Sequence, residues 1–337
     1  MSRIQKKISE ISKDRIVYCD VGARGGLSIE WKRVATSLTV VAYEPEAKAA
    51  AVLKQSITSE GAEAKVYKDA VWSSNGVYPF YETKSGACSS LLVPNATFID
   101  NFPFAEKFDI AKEWAFEVKT IDATLAEDYI KIDFLKIDVQ GGTLDVLTGA
   151  SETLESVFGL NLEAEFVSIY QGESLFGDID KYVRSKGFVL IDLRPTYWRR
   201  KYSKNVSGSR GELIYADLFY LIDPDVLYRR LKKLDQVSRR SLLTRLIRCC
   251  DIYGLNDWIV NYVERTRDLF DDDEFTGICS IAKKGKMLSR LPDFKYRHFL
   301  GNILKDIADQ LHAPSSRTIS QDQGIAGMKR HFWFGRK

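Results

Sequence analysis

The stretch that most constrains this chain is Ile16-Val-Tyr-Cys-Asp-Val-Gly-Ala-Arg-Gly-Gly26. A β-branched run ends in an acid, a glycine-rich turn follows, and Leu27, Ile29, Trp31, Val34 and Ala35 then recur at helical spacing. Strand, tight turn and helix in that order open a doubly wound α/β sheet, in which ligands sit over the carboxyl ends of the strands. A cofactor is therefore expected at this turn.

The same rhythm continues. Residues 39–45 read as a second strand ending at Glu44 and Pro45, residues 47–57 as an alanine-rich helix, and residues 64–70 as a third strand carrying Asp69 and Ala70. Parallel pairing follows from such alternation. Residues 71–83 read as a hairpin about Ser73-Ser-Asn-Gly76, since Asn-Gly is a turn signal. The aromatic residues between 98 and 116 suit either a lid or cleft wall, or the packing of a surface loop. Residues 133–139 form a fourth strand bearing Asp138, with a turn at Gln140-Gly-Gly142 and a helix behind it. Strands five to seven are expected at 159–166, 188–193 and 213–222, with basic and aromatic residues at 194–202 linking the last two. From Pro224 only helical spacing remains, as in Leu227, Leu231, Leu234, Leu242, Leu243, Leu246 and Ile247, with further helices near 257–269, 276–288 and 297–311. The organisation expected is a domain over 1–223, a helical module over 224–313, and a flexible basic-aromatic tail over 314–337.

Composition narrows the class. No apolar run among the 337 residues reaches membrane-spanning length, and the N-terminus lacks the apolar core of a signal peptide. Ile4, Ile8 and Ile11 fit one face of a short helix instead. The five cysteines have no metal-ligand spacing and read as reduced thiols of a cytoplasmic protein. Residues 223–337 hold 22 Lys and Arg against 15 Asp and Glu, while residues 1–222 hold 27 against 31. A basic module can favour an anionic surface. The stretch 229–248, with eight basic residues and one acid, could make such a peripheral contact, although an ordinary amphipathic helix explains it as well. Nothing calls for a nucleic-acid partner.

The turn at Gly22 does not fit a dinucleotide. The G-x-G-x-x-G fingerprint fails at Arg24 and Leu27, and no Gly-Lys-Ser/Thr follows for a phosphate loop. Asp20 before the first glycine would repel a pyrophosphate at the helix N-terminus. An ammonium or sulfonium suits it better, and S-adenosylmethionine carries both. Glu44 is placed to accept from two ribose hydroxyls, Asp69 to meet the adenine amino group, and Asp138 to lie beside the methyl. Each acid alone could be a helix cap; four at one sheet edge favour a cationic nucleoside.

At this point a family resemblance becomes specific. Asp20-Val-Gly-Ala-Arg-Gly-Gly26, Val41-Ala-Tyr-Glu-Pro45, Ser89-Ser90, residues 118–125, and Phe134-Leu-Lys-Ile-Asp-Val-Gln-Gly-Gly142 with Val146-Leu-Thr-Gly-Ala150 resemble, in order and spacing, the FkbM family of S-adenosylmethionine-dependent methyltransferases. Tyr170-Gln-Gly and Lys186-Gly-Phe-Val-Leu are similar to the end of that domain. The resemblance implies an α/β fold with a Rossmann-like seven-stranded methyltransferase sheet, followed here by a C-terminal α-helical module. It implies S-adenosyl-L-methionine as cofactor, held by Asp20, Gly22, Ala23, Gly26, Glu44, Pro45, Asp69, Ala70 and Asp138. It also implies O-methylation of a sugar, glycan intermediate or related small hydroxylated compound. Two positions depart from the pattern: Arg24 where the family often has Asn, and Gln140 where it often has Glu.

All three histidines lie beyond residue 290, so unless the C-terminal module reaches over the cleft the base that takes the hydroxyl proton is a carboxylate, Lys136 or a tyrosine. Asp138 leads by position. Glu163 and Glu165, two apart on one strand, share a face and follow, unless they serve only in ion pairs. Lys136 shares the face of Asp138 and can neutralise it. No third ligand accompanies Asp138 and Glu163, so no metal site is assigned. Two rival readings remain: a non-catalytic binding module that keeps the fold, and an NAD-dependent oxidoreductase, which the missing glycines disfavour.

Overall fold

The computed structural model describes residues 15–23, 26–203 and 210–284. Arg24, the helices expected over 1–15 and 297–311, the tail and the three histidines lie outside the described residues.

Ten strands are described: β1 (Ile16–Val21), β2 (Leu38–Tyr43), β3 (Glu63–Tyr67), β4 (Ala70–Val71), β5 (Gly76–Thr83), β6 (Ile110–Lys119), β7 (Phe134–Ile137), β8 (Gly159–Glu165), β9 (Phe188–Trp198) and β10 (Glu212–Ile222). Seven form one sheet in the order β3-β2-β1-β7-β8-β10-β9. β1, β2, β3, β7 and β8 pair in parallel, and β10 runs antiparallel to both its neighbours. β1 and β7 lie at the centre and are almost wholly buried, which is why, apart from Asp20 and Lys136, they are apolar on both faces rather than alternating.

The helices are α1 (Ile29–Lys32), α2 (Ala47–Ser59), α3 (Ala96–Ile99), α4 (Ile121–Glu127), α5 (Thr143–Thr148), α6 (Phe176–Ser185), α7 (Pro224–Lys232), α8 (Gln236–Ile252), α9 (Asn256–Arg265) and α10 (Asp272–Lys284). α2 buries Ala50, Leu53 and Ile57, a three-then-four spacing that lays one stripe on the sheet.

The hairpin expected at residues 71–83 does not form. β4 and β5 both pair with β6, parallel and antiparallel respectively, in the order β4-β6-β5. A two-residue hairpin turn needs positive φ at its centre, and neither Asn75 nor Gly76 has it. The Asn75 side chain instead accepts from the Thr120 N–H at 2.8 Å, tying this bend to the end of β6. The aromatic stretch 98–116 is also divided. Phe102, Phe104 and Phe108 pack around Trp198 in a second small core, whereas Trp114 and Phe116 belong to the β5–β6 ribbon. Residues 194–198 extend β9 rather than linking two strands.

The helices after Ile222 pack on the sheet through a shared core that includes Leu227, Leu231, Leu243, Leu246 and Tyr262. Asp223 caps α7 with Pro224 in its first turn, and Asp235 caps α8 through the Ser238 N–H. Arg230 donates to the carbonyls of Val157 (2.7 Å) and Leu154 (3.1 Å), and Arg245 pairs with Asp133 at 2.9 Å. These partners sit just before β8 and β7, at the amino edge of the sheet. The module therefore docks opposite the strand ends that carry the four acids. Within the basic stretch 229–248, Arg230, Arg239, Arg240 and Arg245 make internal contacts. No described helix is long and apolar enough to cross a membrane.

Candidate cofactor and acceptor site

Strand order places the four predicted acids on successive neighbours: Asp69 after β3, Glu44 after β2, Asp20 near the end of β1 and Asp138 after β7. With strands about 4.8 Å apart, the row spans on the order of 15 Å. Local backbone contacts hold it together. The Glu44 N–H donates to the Tyr67 carbonyl at 3.0 Å, and the Asp138 N–H donates to the Val21 carbonyl at 3.0 Å.

Gly22 turns at φ +87°, and a Cβ there would lie 2.0 Å from the Asp138 carbonyl oxygen. Only glycine lets the β1 turn and the β7 end approach this closely. The turn closes with the Gly26 N–H donating to the Ala23 carbonyl at 3.1 Å. Ala23 is buried, Pro45 and Ala70 are half-buried.

The acids differ in their surroundings. Asp20 is 2% exposed and pairs with Lys136 at 3.0 Å; Lys136 also reaches Asp138 at 3.5 Å. Burial alone would depress the Lys136 ammonium, but Asp20 and Asp138 override it and hold it above its ordinary value. The Asp138 side chain remains 40% exposed. Glu44 is half-buried and accepts from the Glu46 N–H at 3.0 Å. Asp69 pairs with Lys119 of β6 at 3.2 Å, where the two sheets meet.

Beyond Asp138 the same sheet face continues in charged residues. Asp217 of β10 lies opposite Glu163 of β8, and Arg194 of β9 lies opposite Asp217. One row nearer the amino edge are Asp20, Lys136, Asn161 and Phe219. One row further, Tyr18 and Phe134 meet Trp31 of α1 and Tyr253, and the Trp31 indole donates to the Tyr253 hydroxyl at 2.9 Å. The helical module thus reaches the apolar floor of this face.

Glu163 and Glu165 are brought to that face as predicted, but into unlike settings. Burial, then Asp138 and Glu165, push the Glu163 carboxyl well above the usual range. Glu165 is 1% exposed, and burial followed by Glu173 pushes it up to about 8. Glu173, unnoticed in the sequence, is raised by burial to about 7 and accepts from the backbone N–H groups of Ile169 and Tyr170. One carboxylate oxygen of Glu165 and one of Glu173 are buried without a hydrogen-bond partner.

Tyr170, Ser90 and Gln140 form the wall above them. The Tyr170 hydroxyl lies 2.9 Å from the Cys88 carbonyl and 3.1 Å from Gln140 Oε1. Gln140 Nε2 donates to Glu163 Oε1 at 3.1 Å, and the Ser90 hydroxyl donates to the Gln140 carbonyl at 2.6 Å. The Ser89-Ser90 and Tyr170-Gln-Gly blocks pointed to these residues, but spacing alone could not reveal that they converge on Gln140. No group of three or more His, Cys, Asp or Glu among the described residues could hold a metal ion.

The donor set fits S-adenosylmethionine. Gly22 lets the β1 turn and the end of β7 meet without a side chain between them, and the carboxylates around that turn suit a cation and a ribose diol better than a pyrophosphate. Asp20, Gly22, Ala23, Gly26, Glu44, Pro45, Asp69, Ala70 and Asp138 would hold the group, whose sulfonium supplies an activated methyl.

No curated protein sequence matches this chain significantly. Solved structures that overlap it include an rRNA methylase from Streptococcus thermophilus (12% identity, 64% of this chain and 92% of that one, TM-score 0.32). A precorrin-6y C5,15-methyltransferase from Geobacter metallireducens overlaps at 10% identity, 65% and 86% coverage, and TM-score 0.31. A TehB-like SAM-dependent methyltransferase from Corynebacterium glutamicum overlaps at 10% identity, 65% and 87% coverage, and TM-score 0.29. Overlaps this weak carry no inference about the acceptor. The methyltransferase FkbM domain matches residues 20–190, from Asp20 at the first turn to the start of β9. The chain belongs to the FkbM family of methyltransferases, and S-adenosyl-L-methionine is its methyl donor.

Proposed function

We propose that this protein transfers a methyl group to a hydroxyl of a sugar, a glycan intermediate or a related small hydroxylated compound. The observation that carries the reading is the division of the carboxyl edge. Acids over β3, β2 and β1 surround the glycine turn, while Asp138 and Glu163 continue the row beyond it.

Methyl transfer requires the acceptor oxygen to be aligned behind an activated methyl with water excluded. Asp138 is exposed enough to accept a hydrogen bond from the acceptor hydroxyl. Glu163 beside it is the carboxyl suited to take the hydroxyl proton, because a base held above the usual carboxylate range is better matched to that task. Glu165 is too buried to reach an acceptor; it supports the Gly141 turn, whose N–H donates to it. Half-exposed rings on the β5–β6 ribbon, Phe80 stacked on Trp114 with Phe116 beside them, offer flat faces to a sugar ring. Free cysteines, four of them buried, suit a cytoplasmic setting.

A transfer assay with labelled methyl donor against a panel of glycans and small hydroxylated compounds tests this reading. Label on a sugar hydroxyl is the expected result. Label only on nitrogen, carbon or a nucleic acid overturns the acceptor class. Donor binding with no transfer to any acceptor favours a binding module that keeps the fold.

A further inference from the structure

Gln140 stands at the centre of the acceptor wall. Its side-chain amide has an assigned orientation, because Oε1 faces the Tyr170 hydroxyl and Nε2 faces Glu163 Oε1, each at 3.1 Å. Its backbone is fixed as well: the Ser90 hydroxyl holds its carbonyl, and Gly141 after it turns at φ +75°. A Cβ at residue 141 would meet Glu173 Oε2 at 2.8 Å and the Tyr170 ring at 2.9 Å, so the turn is packed too closely to shift. Gln140 therefore has one place to stand and one carboxyl to touch.

We propose that Gln140 is a positioning residue, which holds the Glu163 carboxyl in place and supplies the hydrogen bond that favours its ionised form. The proposal rests on the reading of Glu163 as the group that takes the acceptor proton. The other groups facing Glu163 are Lys136 on β7 and Asp138 just after it, Glu165 on β8, Asp217 and Tyr215 on β10, and Tyr170. Lys136 alone among these is a cation, and it is already shared between Asp20 and Asp138. The amide N–H of Gln140 is thus the principal hydrogen-bond donor that helps Glu163 lose its proton. A glutamate at 140 would keep the contact with Tyr170 but place a fourth carboxyl beside Glu163, Glu165 and Asp138.

The test follows the Glu163 side-chain carboxyl by 13C NMR as pH is varied, with Glu163→Gln used to assign the signal. Wild type is compared with Gln140→Met, which removes the donor at similar length and leaves Tyr170 its Cys88 carbonyl, and with Gln140→Glu. Loss of a hydrogen bond to a charged carboxylate should move the Glu163 titration up by about one pH unit in Gln140→Met. Gln140→Glu should move it at least as far. The acid limb of kcat should move with it, at unchanged affinity for S-adenosylmethionine. A Glu163 titration that is the same in all three proteins overturns the proposal, whether or not stability falls. The carboxyl signal is read without turnover, so absence of methyl transfer in wild type would count against the proposed function and not against the role of Gln140.

Discussion

The two halves of the carboxyl edge use the same residue types in opposite ways. Over β2 and β3, Glu44 and Asp69 are partly exposed, and each has a short-range partner, the Glu46 N–H and Lys119. Over β7 and β8, and in the loop that follows, Glu163, Glu165 and Glu173 are crowded with other acids, and all three carboxyls are raised. Asp20 and Lys136 form the boundary between them. Open carboxylates are suited to accept hydrogen bonds from a nucleoside; crowded ones hold their protons more tightly and are suited to proton exchange. The contrast shows that an acid at a strand end has no fixed role until its neighbours are known.

The boundary should be the most sensitive place. Gly22→Ala puts a methyl 2.0 Å from the Asp138 carbonyl at a φ of +87°. It should lower stability by about 3 kcal/mol or more and abolish donor binding, measured by urea unfolding and calorimetry. Asp20→Asn leaves buried Lys136 with only the longer contact to Asp138. It should cost roughly 3 kcal/mol in the same unfolding measurement.

The crowded half has a pH signature. A carboxyl raised in the folded state binds its proton more tightly folded than unfolded. Folding then takes up protons between the unfolded value of about 4.5 and the folded values of about 7 for Glu173 and about 8 for Glu165. Stability should fall as pH rises through that window and level off above it. Glu165→Gln should flatten the slope and raise stability at pH 8.5 by roughly 2 to 4 kcal/mol, since the new amide can also donate to the unpartnered Glu173 oxygen. At the far end of the open half, Asp69→Asn should weaken donor binding by only about fivefold, because its partner Lys119 is itself partly exposed.

Much of the row of strand-end acids was legible in the sequence. Asp20, Glu44, Asp69 and Asp138 each end or follow a short run that reads as a strand, and alternation with helices implies that those strands lie side by side. The crowded half was only partly legible. Glu163 and Glu165 share a face by simple periodicity, but Glu173 and Tyr170 come from a loop, and loop paths have no period. Gln140 read as a missing carboxylate because its partners are 23 and 30 residues away. The hairpin at residues 71–83 failed for a related reason: Asn75 bonds Thr120, a contact no local turn rule contains. Pairing of β6 between β4 and β5 then followed from a strand that aromatic composition had disguised.

In the proposed function the open acids hold the methyl donor and the crowded ones serve the acceptor. Calorimetric titration of S-adenosylmethionine into Glu44→Ala and Glu163→Gln tests it most directly. Glu44→Ala should weaken binding by about ten- to a hundredfold, the loss of hydrogen bonds to a carboxylate, while Glu163→Gln should bind as wild type does. Wild-type affinity in Glu44→Ala together with lost affinity in Glu163→Gln would contradict it.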